Sequence, residues 1–204
     1  MGNLPVLRED PISYGLVAIS ISLLIYLTTF GGLLAQDSLI AVIIILSSFA
    51  LMRWGGFFEQ APYVSVTREK SYMYYVAIAL ATFLLLNIFV PSIPLGIEQL
   101  DVASSFYVSA AFGVLMAVAE EQFFRGFFLN FCLIKIRLPP TLAFVVNGIF
   151  FGTYHLAVYG GSTSSIMIVA GAGMIMSYVD YKTGSVTPST LAHIANNILA
   201  FGGI

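Results

Sequence analysis

Residues 71–90, SYMYYVAIALATFLLLNIFV, run for twenty positions without one charged side chain. A helix rises 1.5 Å per residue, so about 20 apolar residues cross the roughly 30 Å hydrocarbon layer of a bilayer. In that medium backbone polar groups are satisfied only within a helix or a closed barrel. Six other stretches follow the same pattern. The seven expected spans lie near 13–35, 38–58, 71–92, 102–135, 140–159, 163–179 and 187–203. In the second, only 38–52 is uncharged, but Arg53 can snorkel and Trp54 suits an interface. The third ends at Pro91 and Pro94; the fifth opens at Pro139-Pro140 and the seventh carries Pro188 in its first turn, where a helix tolerates proline. The fourth is unusually long.

Composition agrees. Of 204 residues, 59% are hydrophobic and 9% charged, against about 25% charged in an ordinary soluble domain. Mean hydropathy is +0.95. The expected fold class is an all-α polytopic membrane protein of about seven transmembrane helices, one integral domain over 1–204 with the bilayer as its surroundings. A net charge of −2 does not suggest nucleic acid. The single cysteine, Cys132, excludes an intrachain disulfide and reads as a small buried apolar residue. No cleavable signal is expected in the opening MGNLPVLREDP.

Loop charges give an orientation. With the N-terminus cytoplasmic, Arg8, Arg53, Arg68, Lys70, Lys135, Arg137 and Lys182 all fall inside, and the outer loops carry only Asp37, Glu98 and Asp101. The C-terminus is then outside. The eighth basic residue, Arg125, lies within the fourth stretch, so a partner rather than topology must account for it.

That stretch holds MAVAEEQFFRGFF (116–128), with Glu120, Glu121 and Arg125 in an otherwise oily run. Unpaired, the three cost roughly 8–10 kcal/mol near the centre of a membrane helix. Glu121 and Arg125 are spaced i, i+4 and are expected to pair. Glu120 points about 100° from Glu121 and about 140° from Arg125, which leaves it as the spare carboxylate and a functional candidate. Two further polar stripes sit in the expected spans: Asn147, Phe151 and His155 on the fifth, and Ser189, His193 and Asn197 on the seventh, each at i, i+4, i+8. Gly148 and Gly152 offer a small-residue surface for close helix approach. Ser189 reads first as a helix-start residue. Glu120 and His155 lie equally far from the turn KIRLPP (135–140), about 22 Å, so they stand at one depth. His193 is only about 8 Å past Pro188, so the seventh helix must start deep or the segment 183–189 must dip into the membrane.

EEQFFR (120–125), FGTYH (151–155) and HIANN (193–197) have the forms EExxxR, FxxxH and HxxxN. Three such motifs in this order resemble the CPBP intramembrane proteases, which include the CAAX-processing endopeptidases of the Rce type and bacteriocin-processing or immunity proteins. The resemblance covers the C-terminal half, a core of about 102–204, and leaves the expected spans over 13–92 as accessory. It implies that Glu120 is the general base that activates water, helped by His155, with His193 and Asn197 stabilising the oxyanion and Glu121 and Arg125 in support; Phe151 opens the FxxxH motif. Water needs a base to attack a peptide carbonyl, and the tetrahedral intermediate needs donors aimed at its oxygen. No cofactor is favoured. The rival mechanism is a zinc ion on Glu120, His155 and His193, the ligand number of a catalytic zinc, although no HExxH helix is present. The expected partner is a peptide or protein substrate, with a prenylated CAAX tail, a leader peptide and a transmembrane segment all open. Two other readings stand beside a peptidase. One is a non-catalytic scaffold or immunity protein on the same fold. The other is a small proton-coupled transporter, for which no inverted repeat is visible. Depth places the site nearer the outer face, whereas CAAX-type processing needs cytosolic access.

Overall fold

The computed structural model describes residues 22, 34–54, 69–90, 102–156 and 162–201. Most of the first expected span (13–35), the 55–68 loop and the loop residues Arg8, Arg68, Glu98 and Asp101 lie outside the described residues. Everything described is helix or connection: α1 (Leu34–Trp54), α2 (Glu69–Phe89), α3 (Val102–Glu121), α4 (Pro140–Tyr154), α5 (Thr163–Thr183) and α6 (Thr187–Phe201). Beyond α3 the chain stays helical but widens into two π-helical segments, Gln122–Phe128 and Phe131–Lys135. The long fourth stretch is thus one helical rod with its winding loosened after Glu121.

Local chemistry sets the ends. Pro139, with ψ 141°, leads into α4, and Pro140 fills the first turn, where no N–H is needed. Ser162 Oγ accepts from the Ser165 N–H at the start of α5. Gly184, at φ 66°, closes α5 and donates to the Asp180 carbonyl, a left-handed cap that glycine adopts without steric cost. Ser185 Oγ then accepts the Thr187 N–H, so Ser185 rather than Ser189 caps α6.

The helices bury polar groups and expose apolar ones. Leu84, Leu85, Ile88 and Phe89 of α2 are exposed, and so are Leu39, Ile40 and Ile43 of α1. Glu121, Arg125, Asn147, Ser177 and Ser189 are buried completely. In water such an apolar surface would be untenable; against lipid it is the stable arrangement. The protein is a helical membrane protein. By length and hydropathy, Asp37–Trp54, Tyr72–Phe89 and Thr163–Thr183 can each cross a bilayer alone. At 15 residues each, α4 and α6 are shorter than the fifth and seventh spans the sequence suggests.

Packing builds a central niche. α1 lies on α3 through Ala41, Val42 and Ile45 against Val108, Phe112 and Leu115. α4 and α5 approach at their small residues. A Cβ added at Gly152 would stand 2.8 Å from both Ala170 Cβ and the Ile166 carbonyl, and one at Gly148 would run into Met174 and the Ala170 carbonyl. α6 packs against α2, α3 and α5, with Ala192 joined to Ala79, Phe83, Met176 and Val179. It carries the seventh stretch's polar stripe.

Candidate functional site

Glu120 sits in the last turn of α3, His155 caps the end of α4, and His193 lies mid-way along α6. The structure brings them together. Glu120 Oε2 is 3.6 Å from His155 Nε2 and 3.8 Å from His193 Nε2. That oxygen is buried and takes no hydrogen bond. Both gaps are too long for direct hydrogen bonds and suit a shared water.

The other ring nitrogens differ in partner. His155 Nδ1 lies 2.8 Å from its own helix's Phe151 carbonyl, and His193 Nδ1 lies 2.8 Å from Glu121 Oε1. A carbonyl or carboxylate oxygen only accepts, so each Nδ1 carries the proton. Aromatic rings hold both imidazoles in place: Phe83 stacks on His193 with centroids 4.6 Å apart, and Phe151 and Tyr154 meet His155 edge-on.

Glu121 pairs with Arg125, Nη1 to Oε1, at 3.1 Å, as the i, i+4 spacing suggests. It does not serve Arg125 alone, because the same oxygen receives His193. The guanidinium lies 4.1 Å from the Phe151 ring centroid, so Phe151 contacts both Arg125 and His155. Glu121 and Arg125 are wholly buried, while Glu120 and His155 each keep 9% of their surface. The two adjacent glutamates therefore have distinct surroundings, one locked and one with an accessible edge.

Side-chain amides cover the carbonyls of the widened helix. Asn147 Nδ2 donates to the Phe124 carbonyl, and Asn130 Nδ2 donates to those of Arg125 and Gly126. Asn197 Nδ2 donates to the Gly113 carbonyl of α3 at 3.0 Å, which leaves the amide's second N–H for another acceptor.

Residues 102–199 match the family model described as type II CAAX prenyl endopeptidase Rce1-like. Over that segment, slightly under half of the chain, the sequence is similar to the Rce1-like family. It is also similar, at 30% identity over 109 residues, to the uncharacterized protein YyaK of Bacillus subtilis (strain 168). The match spans 50% of this chain and 36% of that relative's length. No solved structure matches.

The Rce1-like segment begins at α3 and runs almost to the end of α6, so it contains all three motif helices. Sequence reasoning missed Asp180. It ended the sixth span at 179, whereas α5 continues to Thr183 with Asp180 inside it, 1% exposed. Gly184 was the available signal, since glycine just past a helix marks its end. Ser189, read as a helix-start residue, instead donates to Asp180 Oδ2 at 2.6 Å. The zinc alternative has its three residues in one niche, yet among the described residues no group of three or more His, Cys, Asp and Glu is arranged to hold a metal ion.

Proposed function

We propose that this chain is an intramembrane endopeptidase of the CAAX-processing kind, using a glutamate-activated water. The reading retains seven spans in one membrane domain, with the N-terminus cytoplasmic and the site among the fourth, fifth and seventh. The observation that carries it is the convergence of Glu120 Oε2 with the Nε2 atoms of His155 and His193, at 3.6 and 3.8 Å. With Nδ1–H committed to Phe151, neutral His155 presents Nε2 as an acceptor, and Glu120 presents a second acceptor. Water has a proton for each. Held that way, its oxygen lone pair attacks the peptide carbonyl carbon, and Glu120 takes the proton. Glu120 then returns that proton to the amide nitrogen as the C–N bond breaks, which gives a carboxylic acid and an amine. A positioned general base typically contributes about 10²–10⁴ in rate.

The two histidines divide the labour because their backing differs. A second proton on His193 makes an imidazolium supported by the buried Glu121 carboxylate, and its Nε2–H becomes a donor. That donor and the second N–H of Asn197 would stabilise the oxyanion. The Nδ1–H of His155 rests on a neutral carbonyl, which suits this ring to the acceptor role.

The family description and the apolar surroundings favour a prenylated C-terminal peptide as substrate. The test is cleavage, in detergent, of a prenylated CAAX-type peptide, a leader peptide and a transmembrane peptide by wild type, Glu120→Gln and His155→Ala. Turnover by wild type alone, surviving a strong chelator, is expected. Equal turnover by all three proteins overturns the assignment, and loss on chelation with rescue by zinc replaces the glutamate mechanism.

A further inference from the structure

Behind the niche lies a second buried polar group. Arg125, Asn130, Asp180 and Gly184 help to line a cavity of about 10 Å³, room for one water. Arg125 Nε and Nη2 and Asp180 Oδ1 are buried without hydrogen-bond partners, and both residues are at most 1% exposed. An arginine can only donate, and the other oxygen of Asp180 already accepts from Ser189. One water accepting from Arg125 and donating to Asp180 satisfies both.

This group reaches α6 twice. Ser189 and His193 are four residues apart and stand on one face. Asp180 Oδ2 receives the first, Glu121 Oε1 receives the second, and Arg125 donates to Glu121 while sharing the cavity with Asp180. With the Gly113 carbonyl holding Asn197, each residue of the α6 stripe has its own acceptor. The first of these bonds holds the opening turn of α6 against α5.

We propose that Asp180 is a positioning residue for His193. It acts through Ser189 on the place of α6 and, through a water shared with Arg125, on the Glu121 carboxylate that fixes the His193 tautomer. The inference rests on the peptidase reading only for its effect on turnover; its structural content stands apart. Asp180→Asn keeps the size but turns an N–H donor toward the guanidinium if its oxygen stays on Ser189. Ser189→Ala leaves Asp180 charged and removes the strap to α6, together with the hydroxyl's contacts to Glu121 and the Val186 carbonyl.

With only two histidines in the chain, ¹⁵N-histidine labelling of the full protein in detergent resolves each ring, and His155→Gln assigns the signals. Both variants are expected to move His193 from a single Nδ1–H form to a mixture of tautomers, with His155, bonded within its own helix, unchanged. Under the peptidase reading kcat falls about 10–100-fold, the range for orienting partners of a reacting group, with KM within about twofold. His193 signals identical to wild type in both variants overturn the proposal. If Asp180→Asn disturbs both histidines through loss of fold, the milder Ser189→Ala decides alone. Failure of the wild type to cleave any peptide sinks the peptidase reading and leaves the tautomer result to judge Asp180.

Discussion

Replacing Arg125 by methionine probes the buried network most directly. Methionine keeps much of the length and apolar character of the side chain, so the change chiefly deletes charge and donors. In the wild type, Arg125 Nη1 and Glu121 Oε1 are 3.1 Å apart with both side chains wholly buried. Without the guanidinium, Glu121 keeps only His193 as a charge partner, and Phe151 loses the cation 4.1 Å from its centroid. Removing one member of a buried pair costs about 3–5 kcal/mol, of which the lost ring contact accounts for about 0.5–2 kcal/mol. Total stabilities are about 5–15 kcal/mol, so such a loss is a large fraction of the whole. Glu121→Gln added to Arg125→Met deletes the stranded carboxylate, while the oxygen of the substituted amide can still accept the His193 Nδ1–H. The double variant should therefore recover about 2 kcal/mol relative to Arg125→Met, most of the desolvation penalty of an unpaired buried charge. Its turnover should stay low, because a neutral amide gives a His193 imidazolium no counter-charge. The assay is reversible unfolding in mixed micelles with increasing SDS fraction, followed by helicity, across the four-member cycle. A cost under about 1 kcal/mol for Arg125→Met, or a double variant no more stable than that single, would refute the claim that this pair is a buried electrostatic unit.

Three further outcomes follow from the same geometry. Glu120→Gln should lower cleavage by about 10²–10⁴-fold, while changing unfolding by less than about 1 kcal/mol, since Oε2 makes no hydrogen bond; full cleavage activity would remove Glu120 from the role of general base. Asn197→Ala should lower kcat about 100–1000-fold from the loss of an oxyanion donor, and stability by about 1 kcal/mol from the broken bond to Gly113, read by kinetics and unfolding together. Gly148→Val should destabilise by about 1–3 kcal/mol or more and reduce turnover, because the added carbons meet Met174 and the α5 backbone and push apart the helix pair that carries His155; unchanged melting would contradict the close approach.

The helical class was legible because membrane insertion imposes a simple rule of length and polarity on each stretch. Pairing of Glu121 with Arg125 was legible because i, i+4 geometry survives the widening of the helix that begins at Gln122. That widening itself was hidden. A π-helical turn depends on who satisfies the displaced carbonyls, and the answer lies in Asn147, on another helix, and in Asn130. Likewise, spacing marked Ser189, His193 and Asn197 as one face but could not say what they face. Their acceptors, Asp180, Glu121 and Gly113, come from two different helices. Asp180 escaped because a charged residue just past an apolar run reads as a loop, and only the glycine cap four residues later shows the helix continuing.

Helix length bears on how water reaches such a site. The sequence alone sets His155 within a continuous span, yet α4 ends at Tyr154 and His155 is its cap, with its N–H on the Gly152 and Thr153 carbonyls. A helix of 15 residues extends about 22 Å, several ångströms short of a 30 Å hydrocarbon layer. α6 is equally short, and its opening turn is buried in protein, with Thr187 2% exposed and Ser189 and Thr190 fully covered. Two full-length apolar helices in these positions would seal Glu120 in hydrocarbon, where a carboxylate is costly and water is absent. The end of α4 at Tyr154 puts His155 at a helix end, and the protein-buried opening turn of α6 lets His193 meet it. Lengthening α4 by one turn of alanines after Tyr154 should therefore separate His155 from Glu120 by about 5 Å and abolish cleavage, while the helix, better matched to the bilayer, stays folded. Retained turnover in that insertion variant would mean that the position of His155 at the helix end is incidental to the chemistry.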